Sequence, residues 1–519
     1  MHTTAHHTVI ESEPAANDPI ATTQTATEEK KSAGVRVAQN TLAVLAGRGL
    51  GLVFAAAASV ILARHLGVQG LGEYGAIYAY LSLFIWLGSA GLGPVMAREA
   101  ARQRNQAGNI FFTGVCVCTG AVVATVAVAL ALSPFAHLGG RLFPLVLIGS
   151  IEVLLLIPVR LPGLIFQVDL RQWYGSVFGV LRQGLWFGMV LALYWAGASL
   201  FHVVLGRLAV GMVEAALHWR VGNRFLAPPR QFLTPVARKL LRGGAVIALT
   251  ALASNVYLRI DQVMLHSMVD DRVLGIYVAA VRISELFEAL PAALGATMFP
   301  LLCAAADDRA TFDRYLDITY RILIVAAAAI CVAITVSAPA LVTLLYGSEF
   351  EASATLLMFL IWSEIAVFFS AVVYNALVAM GLERHLILAT LMGAGMNVGL
   401  NAVLIPKWGA MGSVWATIAG YSVAWMAALL PFARTRPIIW RGLRVTLPAT
   451  ALACFVALGV TRLPVNDWFR VLLALVLFGA GAVLLRLVRR SDAEYAGGIL
   501  AKVWAAVGDP AASRKLGPK

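Results

Sequence analysis

The chain has 519 residues, of which 60% are hydrophobic and only 13% charged, with 46 glycines and a formal net charge of +13. A soluble globule carries about 25% charged residues, so the composition excludes one and points to an all-α, polytopic integral membrane protein. The basic residues do not mark a nucleic-acid surface, because most of the 40 lysines and arginines fall in loops on one face of the expected spans, the positive-inside pattern. Five cysteines, an odd number, all lie in apolar segments, which indicates no disulfide framework. Cys116 and Cys118 stand two apart on a helix and point away from each other, so they share no metal.

Residues 1–37 are polar, rich in Thr and Ala and mixed in charge, and read as a disordered cytoplasmic tail in which His2, His6 and His7 are solvated. Apolar stretches of the roughly 20 residues that cross a bilayer follow at about 40–63, 74–97, 109–133, 142–165, 174–196 and 199–219. The stretch 64–73, with Gly67, Gly70 and Gly72, is expected to turn the chain outside as a loop. These spans make an N-terminal six-helix lobe over 38–219, closed by a basic, proline-containing linker at 220–241 expected on the cytoplasmic side.

A second six-helix lobe over 242–432 repeats the pattern, with spans at about 242–267, 274–302, 319–345, 353–380, 385–405 and 408–432. Two further helices within 433–490 bring the expected total to about fourteen, and 491–519 forms a basic cytoplasmic tail. Leu71-Gly72-x-Tyr74 and Leu83-Phe84 recur as Leu274-Gly275-x-Tyr277 and Leu286-Phe287, both at an offset of 203 residues. An internal repeat with an even helix count relates the lobes about an axis along the membrane normal and puts a site between them.

The hairpin Asn255–Leu302 carries Arg259, Asp261, Arg282, Glu285 and Glu288 inside its two apolar arms. An ionised group near the bilayer centre costs about 2.5–3.5 kcal/mol, so the cluster predicts a watery cavity or close pairing. Its order R-I-D-Q-V-M-L, L-G-I-Y-V-A-A-V-R-I, then P-A-A-L and F-P-L-L resembles the polysaccharide-unit (Wzx/RfbX-type) flippases of the MATE-like MOP exporter superfamily. The first hairpin, ARHLGVQGLGEYG, and the late stretch MNVGLNAVLIPKWGAMGSVWATIAG resemble the same family, so the likeness covers about residues 40–432. Within that late stretch Asn397 and Asn401 share a helix face and are read as interhelical hydrogen-bonding groups.

The resemblance implies a transporter that is not an enzyme and needs no cofactor beyond H+ or Na+ coupling. It would move an undecaprenyl-diphosphate-linked sugar unit across the bacterial inner membrane by alternating access, for O-antigen, capsule or exopolysaccharide. Its expected partners are that lipid-linked oligosaccharide, the membrane, and a polysaccharide polymerase and glycosyltransferases of the same pathway, with no nucleic acid. Arg48, Arg182, Arg207, Arg259 and Arg282 are the candidate phosphate-binding residues, because a guanidinium holds phosphate through two parallel hydrogen bonds and keeps its charge when desolvated. Asp261, Glu285, Glu288 and Glu364 are candidates for ion coupling or structural pairing, with Asp261 expected opposite Arg282, Arg282 beside Glu285, and Arg207 sharing a face with Glu214. Glu288 has no arginine three or four residues away.

Two alternatives compete. A MATE-like multidrug or cation antiporter often carries an acid in its first span, and residues 38–63 contain none. A membrane-embedded polysaccharide polymerase or ligase needs a large outer loop, and every outer loop expected here is short.

Overall fold

The computed structural model describes residues 19–85, 92–168, 173–224 and 231–489, and among them every regular element is helical. The first half contains α1 (Pro19–Ile85), α2 (Leu92–Arg102), α3 (Ala107–Leu132), α4 (Phe143–Leu154), α5 (Leu156–Val168), α6 (Trp173–Trp195) and α7 (Leu200–Gly222). The second contains α8 (Thr234–Met268), α9 (Asp271–Ser284), α10 (Ala289–Ala304), α11 (Arg309–Tyr346), α12 (Glu351–Leu360), α13 (Ser363–Ala379), α14 (Arg384–Trp408) and α15 (Ala410–Leu429). The last two helices, α16 (Arg436–Thr461) and α17 (Asp467–Leu484), pack on α11 and on each other. In α11, 56% of its most apolar stretch is buried, against 6% in α6, which makes α11 the axle of the second lobe.

By length and apolarity eleven helices among the described residues can cross a membrane, or twelve when a bent pair counts as one span, where about fourteen were expected. The expected spans 40–63 and 74–97 are the two helical arms of α1 on either side of Gly67, counted together as one stretch, Gly49–Ile85, and α15 is not among the eleven. The outer loop expected over 64–73 is also corrected. α1 stays helical there except at Gly67, whose φ of +65° and ψ of −175° kink it in a conformation glycine adopts without penalty. Part of the expected tail, residues 19–37, continues α1 from Pro19, a residue suited to a first helical turn. Residues 1–18 of that tail, residues 225–230 of the expected linker, and the C-terminal stretch from Arg490 on lie outside the described residues.

Helix breaks follow local chemistry. Pro158 has no N–H to give the carbonyl of Leu154, where α4 ends, and its ring crowds that carbonyl. Pro291 stands in the same relation to Phe287, and the segment Glu285–Glu288 between α9 and α10 is a 3₁₀ turn. At the head of α11, Asp308 accepts from the Thr311 hydroxyl at 2.6 Å and from the backbone N–H groups of Thr311 and Ala310 at 3.3 and 3.1 Å, bonds that hold its carboxyl below the usual range.

The two halves meet where the repeated motif falls. A Cβ on Gly72 would lie 1.8 Å from the carbonyl oxygen of Asp271, and a Cβ on Gly275 would lie 1.8 Å from that of Val68. The contact is reciprocal at the repeat offset, so α1 and α9 cross backbone on backbone at the paired glycines. Around this crossing Arg64 of α1 donates to the carbonyls of Leu344 and Leu345 at the end of α11, at 2.6 and 2.7 Å. At the other end of the molecule Lys239 of α8 bonds Glu99 of α2 at 2.6 Å, which holds that buried carboxyl below the usual range.

Gly72→Ala or Gly275→Ala is expected to push α1 and α9 apart, destabilising the purified protein by about 1–3 kcal/mol in a thermal melt. Gly120→Ala on α3, where a Cβ meets nothing within 4 Å, is the control and should be neutral or slightly stabilising. Equal melting of all three variants would remove the crossing from the account.

Candidate functional site

A cavity of about 750 Å³ opens between the halves, walled by α1, α4, α6 and α7 on one side and by α8, α9, the 3₁₀ turn and the end of α11 on the other. At about 30 Å³ per molecule it has room for about 25 waters. Both outcomes expected from the buried charges, a cavity and close pairing, are therefore present. Arg182, Arg207, Arg259 and Arg282 all line it, together with Glu152, Glu214, Glu285 and Glu288.

Each arginine is held by a carboxylate. On the first-half wall Arg207 gives its Nε to both oxygens of Glu152 at 3.0 and 3.1 Å and its Nη1 to the Tyr74 hydroxyl at 2.6 Å. The Arg207 guanidinium also lies 4.1 Å from the centre of the Tyr78 ring and 5.7 Å from that of Trp186, within cation–π range. Arg182, one helix away, pairs with Glu214 at 3.6 Å. On the second-half wall one acid serves two cations: Glu285 takes a short bond from Arg259 on one oxygen and Arg282 at 3.2 Å on the other. The four arginine side chains keep 27–39% of their surface exposed, so their unused N–H groups face the cavity.

Sequence spacing placed the Arg282–Glu285 pair correctly and misplaced two others. Arg207 meets Glu152 of α4, not Glu214, which pairs with Arg182. Asp261 does not meet Arg282. It is buried within the second half and accepts from the Tyr277 hydroxyl at 2.5 Å and from the N–H of Gln262 at 2.8 Å. Asp261 and Arg259 stand two residues apart, about 200° of helical turn, so one points inward and the other toward the cavity.

Glu364 is also away from the cavity, buried on α13; one oxygen accepts from Ser284 at 2.8 Å and the other has no partner among the described residues. Glu288 lines the cavity with no ion pair or hydrogen bond among the described residues. Arg48 lies on α1, but its side chain is outside the described part. Asn401 donates to Asn397 at 2.9 Å and accepts from Ser413 of α15 at 2.9 Å, the interhelical role expected of it, whereas Asn397 bonds only within α14 and its Nδ2 has no partner among the described residues.

Sequence reasoning missed the aromatic and amide lining: Tyr74, Gln183, Trp186 and Tyr346. The signal was available, since Gln183 and Trp186 stand one and four residues beyond Arg182, and Trp186 shares its helix face.

The fold places the molecule in a known class. The solved structure of the lipid II flippase MurJ in an inward closed conformation superposes with a TM-score of 0.70 at 13% identity, covering 86% of this chain and 99% of that one. An inward-facing multidrug resistance MATE family transporter of the MOP superfamily gives 0.62 at 14% identity, covering 78% and 98%. The chain therefore has the fold that these two structures share, a multi-pass membrane architecture.

Its family is narrower. Residues 61–355, more than half the chain, match the family model of polysaccharide biosynthesis proteins, and the chain belongs to that family. A probable flippase, AglR of Haloferax volcanii, is 25% identical over 397 residues, covering 72% of this chain and 79% of that protein. The resemblance read from the hairpin and the all-α MATE/MOP-like fold class are both borne out.

Removing one side of a cavity pair leaves its partner uncompensated. Arg207→Ala should lower the amount of folded protein, by less than the about 3–5 kcal/mol of a fully buried pair because these groups are partly wetted. Adding Glu152→Gln should restore it, as read by fluorescence-detected gel filtration of membrane extracts. A double variant no better than Arg207→Ala would show that packing on Tyr78 and Trp186 matters more than the charge.

Proposed function

We propose that this protein is a lipid-linked oligosaccharide flippase that carries an undecaprenyl-diphosphate-linked sugar unit from the inner to the outer leaflet of the bacterial inner membrane. The observation that carries the reading is the cavity itself, set between two lobes and presenting arginine forks from both. The family match and the likeness to a probable flippase support it. Alternating access of the lobes would expose this one site to each leaflet in turn.

Arg259 and Arg282, two cations sharing one acid, form the wall suited to the diphosphate. Arg207 is already clamped by Glu152, and with Trp186, Tyr74 and Gln183 it forms a wall suited to a sugar, whose apolar face stacks on aromatic rings. Arg182 and Arg48 extend the basic set along α6 and α1. The acyl chain stays in lipid. The pathway would be O-antigen, capsule or exopolysaccharide, with glycosyltransferases making the unit and a polymerase consuming it. Both termini and the linker then lie in the cytoplasm, where the positive-inside asymmetry puts them.

A cation antiporter fits less well, since the first span contains no Asp or Glu over residues 49–63.

The experiment is export normalised to folded protein in a strain lacking the chromosomal copy. Loss of the protein should trap the lipid-linked unit in the cytoplasmic leaflet with its synthesis intact. Arg259→Ala and Arg282→Ala should each cut export at least about tenfold, and the lysine variants should retain part of it, because lysine keeps the charge and loses the fork. Normal export from every arginine-to-alanine variant at 182, 207, 259 and 282 overturns the reading. In intact cells an impermeant thiol reagent should label Asp270→Cys and spare Arg224→Cys; the reverse pattern inverts the topology.

A further inference from the structure

Four arginines and four glutamates line the cavity, and three of the glutamates are already committed to ion pairs. Glu288 is the exception. It sits at the end of the 3₁₀ turn that begins with Glu285, exposed to the cavity, with no cation or donor of its own among the described residues. With every group ionised, the second-half wall holds Arg259 and Arg282 against Glu285 and Glu288 and is neutral. An anion arriving there gains nothing from net charge and is repelled by Glu288. With a proton on Glu288 the same wall carries one positive charge, and its carboxyl gains an O–H that can donate to a phosphate oxygen.

We propose that Glu288 is the group through which the cavity takes up a proton together with its diphosphate, so that proton and anion bind cooperatively. The inference rests on the diphosphate reading of this cavity. It follows from linkage: whatever makes the wall receptive to the anion is, reciprocally, strengthened by the anion.

The groups around Glu288 fix the sign. Glu285 on its own turn and Glu364 from α13 bear acids that oppose its ionisation, Tyr421 from α15 adds a neutral hydroxyl, and Arg259 from α8 is the cation that favours it. An incoming diphosphate occupies that arginine and adds negative charge of its own, so both effects drive a proton onto Glu288. The result is opposite to exchange, in which a proton expels the substrate. A proton that arrives with the anion also offsets part of its charge during passage through the low-dielectric interior.

The test uses the full chain in lipid nanodiscs and a short-chain prenyl-diphosphoryl N-acetylglucosamine, whose diphosphate diester has no proton to lose near neutrality. Calorimetry in buffers of different ionisation enthalpy counts the protons. The native protein should take up a fraction of a proton per ligand at neutral pH, rising toward one as the pH rises, and its affinity should weaken by up to about tenfold for each unit of rising pH, the limit for one linked proton. Glu288→Gln, which mimics the protonated acid, should bind without pH dependence at the tight end of the native range. Glu288→Asp and Glu364→Gln should keep the native slope.

Native binding that is independent of pH and still lost in Arg259→Ala overturns the proposal and leaves the diphosphate reading standing. A slope that persists in Glu288→Gln overturns the assignment to this residue. No binding by the native protein at any pH overturns both. If Glu288→Gln does not fold, the proton count of the native protein decides alone.

Discussion

A charge inside the membrane must be matched, and the interior of this protein is arranged around that requirement. Arg207 is matched by Glu152, Arg182 by Glu214, and Arg259 and Arg282 jointly by Glu285. None of these acids is on the same helix as its arginine, apart from Glu285 just after α9, so the pairs stitch α4 to α7, α6 to α7 and α8 to the 3₁₀ turn. A cavity lined with unpaired arginines would repel itself, whereas this one is close to neutral and presents only the spare N–H groups of cations whose charge is already answered. A polyanion entering it must compete with internal carboxylates, and the carboxylates it displaces need a proton or another partner.

The seam between the halves obeys a different rule. At Gly72 and Gly275 the absence of side chains lets α1 and α9 touch through their backbones, and the reciprocal geometry repeats the 203-residue offset of the sequence motif. Little apolar surface can be buried by two glycines. Around them Val68, Leu71 and Ile77 of α1 and Leu274 and Val278 of α9 are buried in one apolar core, and polar contacts lie at its rim: Arg64 on the terminal carbonyls of α11, and His266 bonded to Asp271 at 2.5 Å with its other nitrogen toward the carbonyl of His137. The seam is a close backbone crossing set within an apolar core that both halves share, with exchangeable polar contacts at its rim.

The sequence made the class legible because apolar length and charge placement are local properties that a bilayer enforces residue by residue. It made four of the five arginines legible as cavity residues for the same reason, since arginine in an apolar span has nowhere else to go; the fifth, Arg48, has its side chain outside the described part. It could not show which acid meets which base. Arg207 and Glu214 share a helix face, and spacing favours them, yet Glu152 of α4 reaches Arg207 first. Asp261 and Arg259 are two residues apart and diverge, one into the second lobe and one into the cavity. The loop expected around Gly67 failed for a related reason: three glycines in ten residues read as a turn, but Gly72 serves packing and only Gly67 breaks the helix.

Three breaks in otherwise helical spans fall beside three of the acids. α4 gives way to α5 at Leu155 next to Glu152, α9 to α10 through Glu285–Glu288, and α12 to α13 across a bend of 44° just before Glu364. Irregular backbone within a membrane survives only where it faces water or is enclosed by protein, so such breaks belong near polar side chains. The converse has a mechanical consequence. Ser284, the last residue of α9, bonds Glu364, the second residue of α13, and so ties two of the breaks together. Any bending at one joint must move the carboxylates seated on it and alter what they are paired with. The charge state of the cavity and the shape of its walls are then two aspects of a single equilibrium, and an occupant that changes the first acts on the second.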